Sequence, residues 1–269
     1  LKQLFHIENS NSDNGQLNLS LRFGEKHGSF AICDKPGSVL YELAYTITDV
    51  WNENELIKFF TAYPSLNNSF YQVQVVYDFP QSTLISSKAY KQEDAGLLLK
   101  ALGSNTGNTI AISELIAEWQ LYNVYAVPKD IREWVKNKFP AAEAWHQYSR
   151  GVRNINAATA NGSLLIDFGR DIFTVIAAKR SKFLLAQTFE YSTPGDVLYY
   201  LLKICQQFSL SQQQVQLELS GLVDKQSSLF MELRQYFIHV EFREASWNIG
   251  SDYPAHFFTS LNDLAKCAL

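Results

Sequence analysis

Alternation of apolar and polar residues is the first signal along the chain. Residues 17–23 read Leu-Asn-Leu-Ser-Leu-Arg-Phe, a period of two that predicts a strand with one apolar face. Strands are predicted next over 28–33 and, after the Pro36-Gly37 turn, over 38–47. The period then lengthens. Asn52 with Glu55 three residues on forms an Asn variant of the capping box, and Leu56, Phe59, Phe60 and Tyr63 share one face of a helix that Pro64 closes. Residues 71–77 alternate again as a strand. Beyond them the pattern predicts a helix over 90–101 and strands near 109–113 and 120–127. A helix opened by Pro128 follows, with Ile131, Trp134 and Val135 on its buried face, and a further helix is predicted over 140–149.

The same order then recurs. Strands are predicted over 163–168, 172–178 and 182–191, followed by a capped helix start at Thr193-Pro194-Gly195-Asp196. Val197, Leu198, Leu201, Ile204, Cys205 and Phe208 supply its apolar stripe, and a strand at 215–219 and a helix over about 225–235 complete the unit. Phe23-Gly24 and Phe168-Gly169 stand 145 residues apart, and the landmarks that follow each of them keep their order and nearly their spacing. A period this long is a domain duplication, not a solenoid. The expected organisation is two β-β-β-α-β-α halves, 1–150 and 151–269, with the small polar segment 151–162 as linker. Meandering strands followed by alternating helix and strand form a mixed α/β sheet with helices on its faces, and two such halves side by side leave a cleft. The polar run 8–16 is expected to be a mobile loop.

Composition narrows the function classes. The 269 residues are 46% hydrophobic and 19% charged, which is the globular range. A net charge of −4 gives no general attraction to nucleic acid or an anionic membrane, and no apolar run reaches the roughly 20 residues that span a bilayer. Cys33, Cys205 and Cys267 are widely spaced, so a reducing, cytoplasmic setting is expected. The five histidines share no metal-ligand spacing, and no metal site is expected. His27 is read as a surface turn residue and His146, beside Trp145, as a helix residue at a packing seam. The run Gly103-Ser104-Asn105-Thr106-Gly107-Asn108-Thr109 has three residues between its glycines and Asn in place of the P-loop Lys, so it is read as a polar loop. The charged run Lys179-Arg180-Ser181-Lys182 sits at a predicted hairpin tip.

The doubled unit resembles the actin, Hsp70 and sugar-kinase superfamily. More narrowly, the chain is similar to an uncharacterised bacterial family, known mainly from Bacteroidetes, with an actin-like (ribonuclease H-like) ATPase fold. The motifs that carry this are Asn123-Val124-Tyr125-Ala126-Val127-Pro128 with its helix, Phe139-Pro140, His146, Ile166-Asp167-Phe168-Gly169 and Leu219-Ser220-Gly221, in that order. The resemblance implies the fold and brings no established activity.

The superfamily's two phosphate loops would fall on Arg22-Phe23-Gly24 and Asp167-Phe168-Gly169, and its adenosine-binding turn on Ser220-Gly221-Leu222. Asp167, Gly169, Arg22, Gly24 and Gly221 are therefore the candidate phosphate or nucleotide ligands, for ATP with magnesium. Two departures from the pattern matter. Arg22 replaces a carboxylate, and a guanidinium has donors only, so it cannot hold a metal, although it could grip a phosphate. A single glycine stands where the adenosine turn has two. Asp130 is the only carboxylate near the water-positioning region, and the helix dipole explains an acid there equally well. The expected function is a non-catalytic interaction or scaffold protein on a degenerate ATPase fold, with a protein partner and neither nucleic acid nor membrane. The alternative is an ATP-binding protein or phosphotransferase using Asp167 and Arg22.

Overall fold

A computed structural model describes residues 1–9, 15–103, 107–247 and 253–266. The chain divides into two compact units. One comprises Leu1–Ser149 with Ser246–Ser251 and Leu261–Leu269; the other comprises Arg150–Ala245 with Asp252–Ser260.

The first unit begins with strands β1 (Lys2–Glu8), β2 (Leu17–Gly24), β3 (His27–Asp34) and β4 (Leu40–Ile47), followed by helix α1 (Glu53–Ala62). After it come β5 (Gln72–Asp78), β6 (Ser82–Ser86), α2 (Ala95–Ala101), β7 (Thr109–Ile116) and β8 (Leu121–Pro128). Helix α3 (Lys129–Lys138) and strand β9 (Glu143–His146) follow, and helix α4 (Gln147–Asn154) belongs to the second unit from Arg150 on. The main sheet has the order β1-β4-β3-β2-β5-β9, and β6, β8 and β7 form a separate three-stranded sheet. The alternation in β2 divides two buried faces. Leu19, Leu21 and Phe23 pack with Phe30, Phe59 and Val75 in the core, while Asn18, Ser20 and Arg22 are buried on the other side. Asn52 caps α1 by accepting the Glu55 N–H at 3.0 Å, and Leu56, Phe59 and Phe60 are its buried residues.

The second unit contains β10 (Ser163–Phe168), β11 (Ile172–Lys179), β12 (Lys182–Glu190), α5 (Pro194–Gln207), β13 (Gln216–Gly221), α6 (Ser228–Tyr236) and β14 (His239–Phe242). Helix α7 (Thr259–Lys266) starts in this unit and joins the first from Leu261. The sheet order is β12-β11-β10-β13-β14, the same order as β4-β3-β2-β5-β9 in the first unit. Thr193 and Asp196 make a complete capping box, and α5 buries Val197, Leu198, Leu201 and Ile204 against the sheet. Each such side chain contributes roughly 1.5–3 kcal/mol relative to exposure.

Several local expectations are revised. Residues 143–146 form a strand, because a parallel ladder to β5 (Gln74 with Glu143 through Tyr77 with His146) overrides the helical preference of the Ala-rich stretch. Residues 151–154 close α4 and are not linker; a Cβ on Gly151 would lie 2.7 Å from Ile176, so glycine permits that close packing. Strands β1, β6 and β14 and helix α7 were not foreseen. The polar loop expected at 8–16 lies outside the described residues over 10–14, as do 104–106 of the glycine-containing loop and Cys267. Cys33 and Cys205 are buried free thiols. Among the described residues no helix is long and apolar enough to cross a membrane.

Candidate functional site

Strand ends determine where the chemistry-bearing side chains sit. In the first unit, β2 and β5 run parallel and in register from Asn18 with Gln72 to Gly24 with Asp78, so both finish at the same end of the sheet. Arg22 and Asp78 point to the same polar face. The guanidinium donates to Asp78 Oδ2 from Nη2 at 2.7 Å and from Nε at 3.2 Å. Both side chains are almost wholly buried, and His27 Nε2 lies 3.4 Å from the same oxygen. Burial alone would raise the Asp78 carboxyl, but Arg22 and then His27 outweigh it and hold the group below the usual carboxylate range.

His27 is therefore no surface turn residue. It is the buried first residue of β3, stacked on Tyr45 with ring centroids 5.4 Å apart. Its imidazole fills the space beside Gly24, where a Cβ would lie 2.1 Å from His27 Cε1. The Trp51 indole donates to the Gly24 carbonyl at 2.8 Å, fixing the hairpin end from another side. His146, fully buried at the end of β9, receives the Tyr148 N–H at Nδ1 (3.1 Å) and donates from Nε2 to the Phe79 carbonyl (2.9 Å). These partners select the neutral Nε2–H tautomer, and burial brings the pKa down to about 4.

The corresponding hairpin of the second unit repeats part of this plan. Asp167 on β10 accepts the Ser220 hydroxyl at 2.8 Å from the neighbouring strand β13. The Gly169 N–H closes its own turn on the Ile172 carbonyl at 2.8 Å, and a Cβ at Gly169 would sit 3.0 Å from Ile172 Cγ1. Ile172 opens β11 just as His27 opens β3, so in both hairpins the glycine faces the first residue of the next strand. Gly221 has φ +81°, and a Cβ there would lie 2.1 Å from the Phe168 carbonyl oxygen. The left-handed turn lets the Leu222 N–H reach that carbonyl at 2.7 Å. Asp130 is exposed in the first turn of α3.

Three glycines singled out from the sequence thus each have a packing reason within their own sheet. The residues present do not fit a magnesium nucleotide at the first hairpin: the metal-organising carboxylate is a guanidinium held by Asp78, and His27 lies against the glycine. Sequence reasoning missed Asp78 and the burial of His27. The available signal was a carboxylate ending the apolar strand Val75-Val76-Tyr77.

Residues 6–240 match the model of a family described as "Protein of unknown function (DUF3822)". The chain belongs to that family. Among solved structures, it is similar to a Bacteroides thetaiotaomicron protein with an actin-like ATPase fold and unknown function. That match has a TM-score of 0.77 at 19% identity, covering 92% of this chain and 95% of the other. It is also similar to a chain of the PilM–PilN type IV pilus biogenesis complex, with a TM-score of 0.57 at 12% identity, covering 93% and 98%. No curated protein matches. The DUF3822 chain has an actin-like ATPase fold, in agreement with the resemblance carried by its motifs.

Proposed function

We propose that this DUF3822 protein is a non-catalytic interaction or scaffold protein in the cytoplasm, built on an actin-like fold that no longer turns over nucleotide. The observation that carries this reading is the Arg22–Asp78 pair. Where a hydrolase of this fold would place a carboxylate to organise a metal, this chain places a cation and supplies a buried counter-charge from the adjacent strand. A guanidinium so engaged has no lone pair for a metal. The filling of the Gly24 face by His27 supports the same reading. The shared strand order of the two sheets is in keeping with an internal duplication, of which the second copy retains Asp167. The PilM–PilN assembly offers a precedent for such a fold working beside a protein partner.

Differential melting of the full chain with ATP, ADP and GTP, each with and without magnesium, tests the proposal. A ligand at one hundred times its dissociation constant adds about 2.7 kcal/mol to stability. Unchanged melting in every arm is the expected result. A magnesium-dependent rise with any nucleotide overturns the reading in favour of a nucleotide-binding protein using Asp167 and Arg22. Affinity capture from the native cell should return a protein partner at defined stoichiometry.

A further inference from the structure

The edge of the first unit's sheet, away from the hairpins just described, gathers a different set of side chains. His6 and Glu8 stand two residues apart on β1 and so share one face, and Glu8 lies directly opposite Glu42 on β4. His6 Nε2 is 3.0 Å from a Glu42 carboxylate oxygen and 3.3 Å from one of Glu8. One ligand atom from each of the three lies within 4.8 Å of the others. The ring of His6 rests edge-on against Tyr63, with centroids 5.2 Å apart, and the Tyr63 hydroxyl is anchored on Gln3 at 3.0 Å. The imidazole is thereby held in place on strand backbone, not on a loop.

Two features of this cluster call for a cation. Like charges directly opposite on an antiparallel pair destabilise it, and Glu8 and Glu42 are such a pair at the sheet edge. Among the described residues, His6 is the only ion-pair partner of either carboxylate, and one ring nitrogen carries one proton at most for two acceptors. The spacing also matters. Tetrahedral ligands bonded at 2.0–2.2 Å lie about 3.3–3.6 Å apart, within a few tenths of an ångström of the two separations from Nε2. Glu8 is largely exposed and leaves one side open to solvent.

We propose that His6, Glu8 and Glu42 form a three-ligand site for a divalent transition-metal ion of the zinc type, completed by water, which clamps β1 onto β4. An imidazole with two carboxylates suits zinc, whereas magnesium and calcium take mainly oxygen ligands in larger number.

The full chain, freed of metal with a chelator, is titrated with zinc chloride by calorimetry and with cobalt(II) by visible absorption. The expected result is one ion per chain, a raised melting temperature with zinc, and the intense cobalt bands of a four-coordinate ion. Magnesium and calcium should leave melting unchanged. Glu8→Gln, at an exposed position whose metal-free melting reports an intact fold, should weaken zinc by more than the 10–100-fold that losing an outer partner typically costs. His6→Ala should abolish the cobalt bands. No zinc uptake by the wild type, or uptake that is the same in wild type and both variants, overturns the site.

Discussion

Asp78 is the residue on which the first hairpin turns. It accepts two Arg22 donors on one oxygen inside the protein, so removing its charge takes a buried counter-charge away from the guanidinium. Asp78→Asn should cost about 3–5 kcal/mol, read as a fall in the urea midpoint, and pairing it with Arg22→Met should recover part of that loss. His146 gives a test of opposite character. Its folded pKa of about 4 lies below the 6.5 of an exposed imidazole, so the unfolded chain takes up the proton first. Its contribution is complete above pH 6.5 and is lost as the pH falls toward 4, a span worth about 3 kcal/mol. Urea titrations at pH 7 and 4.5 should show a smaller pH dependence in His146→Gln than in the wild type. Neither role was legible beforehand. Asp78 and Arg22 lie 56 residues apart in sequence, and only the parallel register of β2 and β5 brings them together.

At the scale of elements, local chemistry was far more readable. Asn52 and Thr193 cap the helices they were expected to cap, because the capping bonds are made within three residues. The buried strands β2, β10 and β11 show in the chain as apolar alternation or apolar runs. Strands β9 and β14 did not, since each is four residues long and depends on a neighbouring strand for its pairing. Candidate residues followed the same division: motif order picked out Asp167 and Gly221 near the ends of β10 and β13 and Gly169 in the turn after β10, while the approach of His6 to Glu42 depends on the pairing of β1 with β4. The β11–β12 hairpin carries a testable strain. Arg180 and Ser181 occupy its two-residue turn at φ +51° and +59°, where side chains are disfavoured. Hydrogen bonds from their N–H groups to Thr159 and Ala157 hold them there. Ser181→Gly should relieve the left-handed cost and stabilise the protein by about 1 kcal/mol, net of glycine's chain entropy, seen as a higher melting temperature.

At the scale of the whole molecule, the actin-like architecture shows as one strand order repeated, β12-β11-β10-β13-β14 matching β4-β3-β2-β5-β9. That architecture is joined in a particular way. The first unit is not finished by its own run of sequence: it takes in Leu261 and the residues after it, and within it Trp247 donates to the Gly37 carbonyl at 2.8 Å across 210 positions. The second unit likewise draws on residues after Asp252. Nascent chains usually complete their N-terminal domain first, while the remainder is still being made. This chain cannot follow that schedule. The first unit is complete only once Leu261 and the residues after it have been made, and the second only after the stretch from Asp252, so the two are completed close together in synthesis.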